Sequence, residues 1–138
     1  MKIRVLFVIL CVAGLAGSAL GEIAHGAGTM TALKITVIPN GGKPTVGRRT
    51  YTLRCGPAVG TLPKAGIACS KLAKIQNPFA PVPTAMACTE IYGGPQEAVV
   101  VGVYRGKPVR TRFTRTDGCQ IARWNRVRFL FPIPTGIR

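Results

Sequence analysis

The stretch Arg48-Arg-Thr-Tyr-Thr-Leu-Arg-Cys55 alternates. Arg49, Tyr51, Leu53 and Cys55 fall on one side of an extended chain, and Arg48, Thr50, Thr52 and Arg54 on the other. A period of two with the larger apolar groups on one side is the pattern of a half-buried β-strand. Upstream, Leu33-Lys-Ile-Thr-Val-Ile38 has the β-branched content of a second strand, and Pro39-Asn-Gly-Gly-Lys-Pro44 breaks it. Downstream, Ala65, Ala68, Leu72 and Ile75 recur at helical spacing with Lys64, Lys71 and Lys74 on the polar side, which predicts a helix over 63–75 opened by Pro63.

The stretch from Gln76 to Met86 holds three prolines and no period, so it reads as an extended loop. Glu97-Ala-Val-Val-Val-Gly-Val-Tyr104 carries valines on both faces, as a central strand does. Arg105-Gly-Lys-Pro108 then turns the chain into Val109-Arg-Thr-Arg-Phe-Thr-Arg115, which alternates again, and the pair reads as a hairpin. Asp117 stands where a helix cap belongs, ahead of a short helix with Cys119, Ile121, Ala122 and Trp124. Strands and helices do not alternate as in a parallel βαβ sheet, so the order points to an α+β sandwich: an antiparallel sheet with helices on one face.

The chain has 138 residues, within the range of one domain. Met1 to Arg4 is basic, Val5 to Leu20 is apolar or small apart from Ser18, and Ala19-Leu-Gly21 offers a small-x-small cut site. That is a secretory signal peptide over 1–21, with Gly26 or Ala27 as alternative cut points. Residues 22–32 are small and polar and read as a flexible N-terminal segment; 33–127 is the domain, and the proline-broken apolar stretch 128–138 is a C-terminal tail. The expected location is extracellular.

Removal of the signal takes away Cys11 and leaves Cys55, Cys69, Cys88 and Cys119, an even set that reads as two disulfides in an exported protein. Three pairings remain open. The chain has no Cys-x-x-Cys, and its one histidine, His25, lies beside the cut site, which argues against a metal centre. The formal charge is +15, and the basic residues are spread without a lysine/arginine block. No nucleic-acid-binding signature occurs, so specific nucleic-acid binding is not expected, whereas weak attraction to an anionic envelope or polymer is. His25 leaves no folded histidine for a hydrolytic triad, and Glu90, Glu97 and Asp117 do not make an evident catalytic pair. No catalytic residue, cofactor or enzyme activity is predicted.

Seven elements together resemble the secreted Streptomyces-type subtilisin inhibitor family: YTLRCGP (51–57), GTLPKAGIACSKL (60–72), Phe79, CTEIYGGP (88–95), GVYRGKPV (102–109), FTRTDGC (113–119) and RW (123–124). The resemblance covers Leu33 to Val127. It implies disulfides Cys55–Cys69 and Cys88–Cys119, a five-stranded antiparallel sheet with two helices on one face, and a homodimer. If copies stack sheet on sheet, Arg48, Arg54, Arg110 and Arg112 would meet like charge.

The resemblance also implies inhibition of a subtilisin-like serine protease by a rigid, substrate-like loop. The family's primary specificity position, P1, lies two residues after the third mature cysteine. Carried onto this chain it is Glu90, with the reactive bond Glu90–Ile91. Cys88 is then P3 and Thr89 is P2, Ile91 and Tyr92 lie on the leaving side, and Gly93, Gly94 and Pro95 end the loop. The chain departs from the family pattern here. Familiar members carry methionine or lysine at P1 and an Asp-Pro close behind, whereas this chain has glutamate and then Gly-Gly-Pro with one extra residue. An unpaired carboxylate is costly to bury in an apolar pocket, so glutamate here suits either a glutamate-preferring protease with a basic pocket or a weak inhibitor. The alternative function is a non-inhibitory secreted basic binding protein of the same fold that associates with an anionic envelope or polymer.

Overall fold

The computed structural model describes residues 30–41 and 47–133. The signal peptide, most of the segment expected to be flexible and the last five residues of the tail lie outside the described residues. Four strands form one antiparallel sheet: β1 (Thr31–Ile38), β2 (Arg49–Cys55), β3 (Glu97–Tyr104) and β4 (Lys107–Phe113), in the order β2-β1-β3-β4. Two helices, α1 (Ala65–Ala73) and α2 (Gly118–Val127), complete the fold, and a single 3-10 turn over Arg128–Leu130 follows α2. This is the α+β arrangement with two helices and two disulfides. The described residues supply four strands rather than five.

Register follows from the alternation. Leu33 pairs with Leu53 and Ile35 with Tyr51 across β1 and β2, and Ile35 pairs with Val100 across β1 and β3. A shift by one residue would turn every one of these side chains to the other face. Leu33, Ile35, Val37, Leu53, Ala98, Val100 and Phe113 line the covered face and are buried. The other face carries Lys34, Thr36, Thr50, Thr52, Arg54, Val99, Val101, Val103, Arg110 and Arg112. The valines of β3 thus occupy both faces because β3 lies inside the sheet.

Helix α1 buries Ala68 and Leu72 against the sheet, and the disulfide from Cys69 ties it to Cys55 at the end of β2. A fully buried leucine contributes about 1.5–3 kcal/mol. The helix is shorter than the sequence predicts. Lys64 has φ of 57°, a left-handed conformation that places Pro63 outside the helix, and the Lys74 N–H closes the last turn. Tyr104, at the end of β3, donates from its hydroxyl to the Leu72 carbonyl at 2.9 Å, joining sheet to helix.

Three further boundaries differ from the sequence reading. β4 runs Lys107–Phe113, two residues earlier at each end than the alternating stretch Val109–Arg115, because Lys107 and Pro108, read as part of the turn, pair with Tyr104 and Val103. β1 begins at Thr31, inside the segment expected to be flexible, because Thr31 is buried and its Oγ1 accepts from the Arg105 N–H at 3.2 Å. The tail read as beginning at Arg128 starts inside the core: Leu130 and Phe131 are buried. The Phe131 ring lies 4.6 Å from Trp124 and 5.1 Å from Phe113, centroid to centroid. Its burial comes from these tertiary partners, which local periodicity does not register.

Candidate functional site

The segment between α1 and β3 carries no regular structure, yet it is held at defined points. Pro78 is buried, and the Phe79 ring meets Tyr104 edge-on at 5.3 Å. Arg123 of α2 then holds the following stretch. Its Nε donates to the Ala80 carbonyl and its Nη1 to the Arg112 carbonyl, both at 2.7 Å, and its Nη2 donates to Thr111 Oγ1. The guanidinium also lies 4.2 Å from the Phe113 ring centroid. Burial lowers the Arg123 pKa from its ordinary value, but arginine starts so high that it stays protonated. One side chain therefore joins α2, β4 and the approach to the loop. Its signal in the sequence is the RW element, Arg123-Trp124, which by itself implies no such role.

Asp117 fixes the N-terminus of α2 by accepting from the Gln120 N–H at 2.9 Å, as an aspartate cap does. That end of the helix is where the loop is fastened. The disulfide Cys88–Cys119 spans 5.4 Å between Cα atoms. One residue later, the Thr89 carbonyl accepts from the Gly118 N–H at 2.9 Å. Gly118 admits this approach because a Cβ there would collide with Thr89 Oγ1. On the far side, the Gly93 N–H donates to the Arg115 carbonyl at 2.7 Å. Gly94 follows with φ of 123°, a conformation that glycine adopts without a Cβ penalty. Gln96 is buried and accepts from Arg115 Nη1 at 2.9 Å, which fixes the return into β3.

Between these two anchors stand Glu90, Ile91 and Tyr92, all exposed. Ile91 is 60% and Tyr92 65% accessible, so two adjacent large apolar side chains stand out in solvent. None of the three makes a hydrogen bond among the described residues. Their backbone N–H and C=O groups are available to pair with an extended cleft, the way a peptide adds a strand to a receptor. Cys88, Thr89, Glu90, Ile91, Tyr92, Gly93, Gly94 and Pro95 thus form one loop, exposed apart from the half-buried Gly93 and Gly94, with both shoulders tied down.

The same geometry disposes of two other chemistries. Cys88, Asp117 and Cys119 place their ligand atoms within 4.8 Å of one another. Both sulfurs are consumed by the disulfide and the Asp117 carboxylate is committed to the α2 cap, so the cluster does not fit a metal ion. Glu97 forms an ion pair with Arg112 on the open sheet face, so it does not pair with another carboxylate as glycoside chemistry requires.

A search of solved structures finds the crystal structure of Streptomyces caespitosus sermetstatin in complex with Bacillus licheniformis subtilisin. It aligns at 27% identity over 71% of this chain and 96% of that chain, with a TM-score of 0.45. No curated protein matches the sequence. The family model described as subtilisin inhibitor-like matches residues 29–116, from the approach to β1 through the whole exposed loop to the residue before the α2 cap. That match spans more than half of the chain, and the protein belongs to the subtilisin inhibitor-like family, a family of protease inhibitors and not of enzymes.

Proposed function

We propose that the protein is a secreted inhibitor of serine endopeptidases that offers residues 88–95 as a substrate-like loop, with Glu90 at P1 and Glu90–Ile91 as the reactive bond. The observation that carries this reading is the pair of anchors, Thr89 to Gly118 and Gly93 to Arg115, on either side of three exposed residues. A loop ordered during folding does not have to be ordered again on binding, so its contacts convert more fully into affinity. Tethered shoulders also keep the leaving segment beside the acyl-enzyme after attack, which favours resealing over release. The target is subtilisin-like or glutamate-preferring. Members of the family are generally secreted, in keeping with the signal peptide read at residues 1–21. The homodimer is a further part of the proposal, and sedimentation over a range of salt concentrations tests it.

The deciding experiment measures inhibition constants against subtilisin, trypsin and a glutamyl endopeptidase, for the parent protein and for Glu90→Met. With Glu90 at P1, the parent prefers the glutamyl enzyme. Glu90→Met then gains roughly 10- to 100-fold against subtilisin, the range that one side chain in an apolar pocket supplies. Absence of inhibition in both forms against all three enzymes refutes the assignment.

A further inference from the structure

The two halves of the loop are fastened by different means. Upstream of Glu90–Ile91, Cys88 is bonded to Cys119 and the Thr89 carbonyl accepts from the Gly118 N–H. Downstream, from Ile91 to Gln96, hydrogen bonds stand in place of a disulfide, and among the described residues they end on one residue, Arg115. Its carbonyl accepts from the Gly93 N–H at 2.7 Å, and its Nη1 donates to Gln96 Oε1 at 2.9 Å. The chain lies close against this support. A Cβ on Gly93 would come within 2.8 Å of Ile121 Cδ1 and 3.3 Å of Arg115 Cβ. A Cβ on Gly94 would collide with Gln96 Oε1, the atom that the guanidinium holds. Arg115 thus fixes Gly93 with its backbone and, through the buried Gln96, backs Gly94 with its side chain. Tyr92 and Arg115 line the same surface depression.

We infer that Arg115 is the positioning residue that retains the leaving half of the loop for resealing. The inference rests on Glu90–Ile91 being the reactive bond. On cleavage the protease serine oxygen attacks the Glu90 carbonyl carbon, an ester forms, and the C–N bond to Ile91 breaks. The hydroxyl proton passes to the Ile91 nitrogen, which becomes a free amine. Resealing is the reverse: the amine nitrogen attacks the ester carbon, the C–N bond forms, the C–O bond to serine breaks, and the proton returns to the serine oxygen. Water competes by attacking the same carbon, which leaves a Glu90 carboxylate and a cut loop. The acyl half cannot drift away, because it is an ester on the protease and a disulfide on the domain. The amine half stays in reach only as well as Gly93 and Gly94 are held, two and three residues beyond the amine. An amine kept beside the ester attacks as an intramolecular nucleophile, and its advantage over water falls as that half is freed. The tie from Arg115 to Gln96 is charge-assisted, and its loss leaves a buried amide oxygen unpaired. Arg115 acts through Gly93 and Gln96, not on the reacting atoms.

The test incubates the mature protein with catalytic amounts of glutamyl endopeptidase and of subtilisin. Mass spectrometry counts molecules cut at Glu90–Ile91 per enzyme molecule inhibited, and stopped-flow kinetics give the association rate. Arg115→Ala, Gln96→Ala and their double variant are compared with the parent and with Lys74→Ala, which removes one charge from an exposed position on α1's end. Circular dichroism verifies the fold of each. Arg115→Ala and Gln96→Ala are each expected to be cut roughly 10- to 100-fold more often than the parent, the factor that one charge-assisted hydrogen bond supplies. The double variant is expected to match the singles, because both break the same contact. Association of Arg115→Ala is expected to stay within about twofold of Lys74→Ala, since one lost charge acts alike on approach. A parent that inhibits and an Arg115→Ala variant that is cut no faster would overturn the inference while leaving the reactive bond in place. Additive losses in the double variant would mean general loosening and overturn it too. A parent that neither inhibits these enzymes nor is cut at Glu90–Ile91 would refute the reactive bond itself, and the role of Arg115 with it.

Discussion

Replacing Cys88 and Cys119 together by alanine separates the stability of the domain from the rigidity of its loop. The bridge closes a sequence separation of 31 residues, for which the chain-entropy relation gives about 3.7 kcal/mol. Against a melting entropy of about 0.2 kcal/mol per degree for a domain of this size, the melting temperature drops by roughly 15–20 °C. The core does not depend on the bridge, because Leu72, Phe113, Val127 and Leu130 are buried by packing between sheet and helices. The loop does depend on it. Without the disulfide, residues 89–93 are tied by the Thr89–Gly118 and Gly93–Arg115 hydrogen bonds, each contributing about 1 kcal/mol. Fixing the backbone of each loop residue costs about 1–2 kcal/mol, so two such bonds cannot keep the stretch ordered. The variant therefore folds at low temperature with a mobile loop. Inhibition is expected to weaken by roughly 100-fold, equivalent to about 2.7 kcal/mol of ordering cost moved into the binding step. It is also expected to be cut by its target at Glu90–Ile91 as an ordinary substrate. Guanidinium unfolding, inhibition constants at 10–20 °C below the new midpoint, and mass spectrometry of the digest read these three effects. A variant that melts early yet inhibits within about threefold of the parent would refute the rigidity argument.

Two further predictions concern what supports the loop from below. Phe131→Ala removes a buried ring that packs on Trp124 and Phe113, and is expected to cost about 3–5 kcal/mol in denaturant unfolding; a loss under 1 kcal/mol would return residue 131 to a dispensable tail. Asp117→Ala removes the cap that receives the Gln120 N–H and is expected to cost about 1 kcal/mol, with faster amide exchange confined to the first turn of α2.

The parts of the fold legible in the sequence are those where one local rule decides the outcome. β2 could be read from Arg48 to Cys55 because its two sides differ in polarity at a strict period of two. The α2 cap could be read because an aspartate at that point has one familiar role. Other features depend on distant partners. Thr31 and Ala32 carry no strand signal of their own, and β1 extends to them because Thr31 Oγ1 receives the Arg105 N–H. Leu130 and Phe131 sit among prolines without a period, and aromatic neighbours bring them into the core. Lys64 looks like the polar side of a helix but adopts a left-handed conformation that delays the first turn. At the loop, resemblance supplied the candidate residues, and spacing alone would not have found them. Composition gave no warning that Gly118 is needed for close approach to Thr89, or that Arg123 holds the segment leading to the loop.

In the proposed inhibitor, charge and loop would act at different stages of an encounter with a protease. Of the chain's four acids, Glu97 is neutralised by Arg112 and Asp117 is committed to a helix cap. Glu90 is exposed at the tip of the loop, two residues from a disulfide anchor. With residues 1–21 removed, Lys2 and Arg4 go and the formal charge of +15 falls by two, to +13. This positive field acts on approach, raising association rates with acidic partners in a manner that salt suppresses. A single side chain that enters a pocket acts after approach, in the dissociation rate. A protease matched to both would be acidic around its cleft and basic inside its specificity pocket, because the field would then favour encounter and the pocket would hold the carboxylate. An enzyme with an apolar pocket satisfies the first condition at most, since desolvating the unpaired Glu90 carboxylate would work against every contact the loop makes. With Glu90 at P1, as proposed, the glutamate narrows the class of target more than the net charge does.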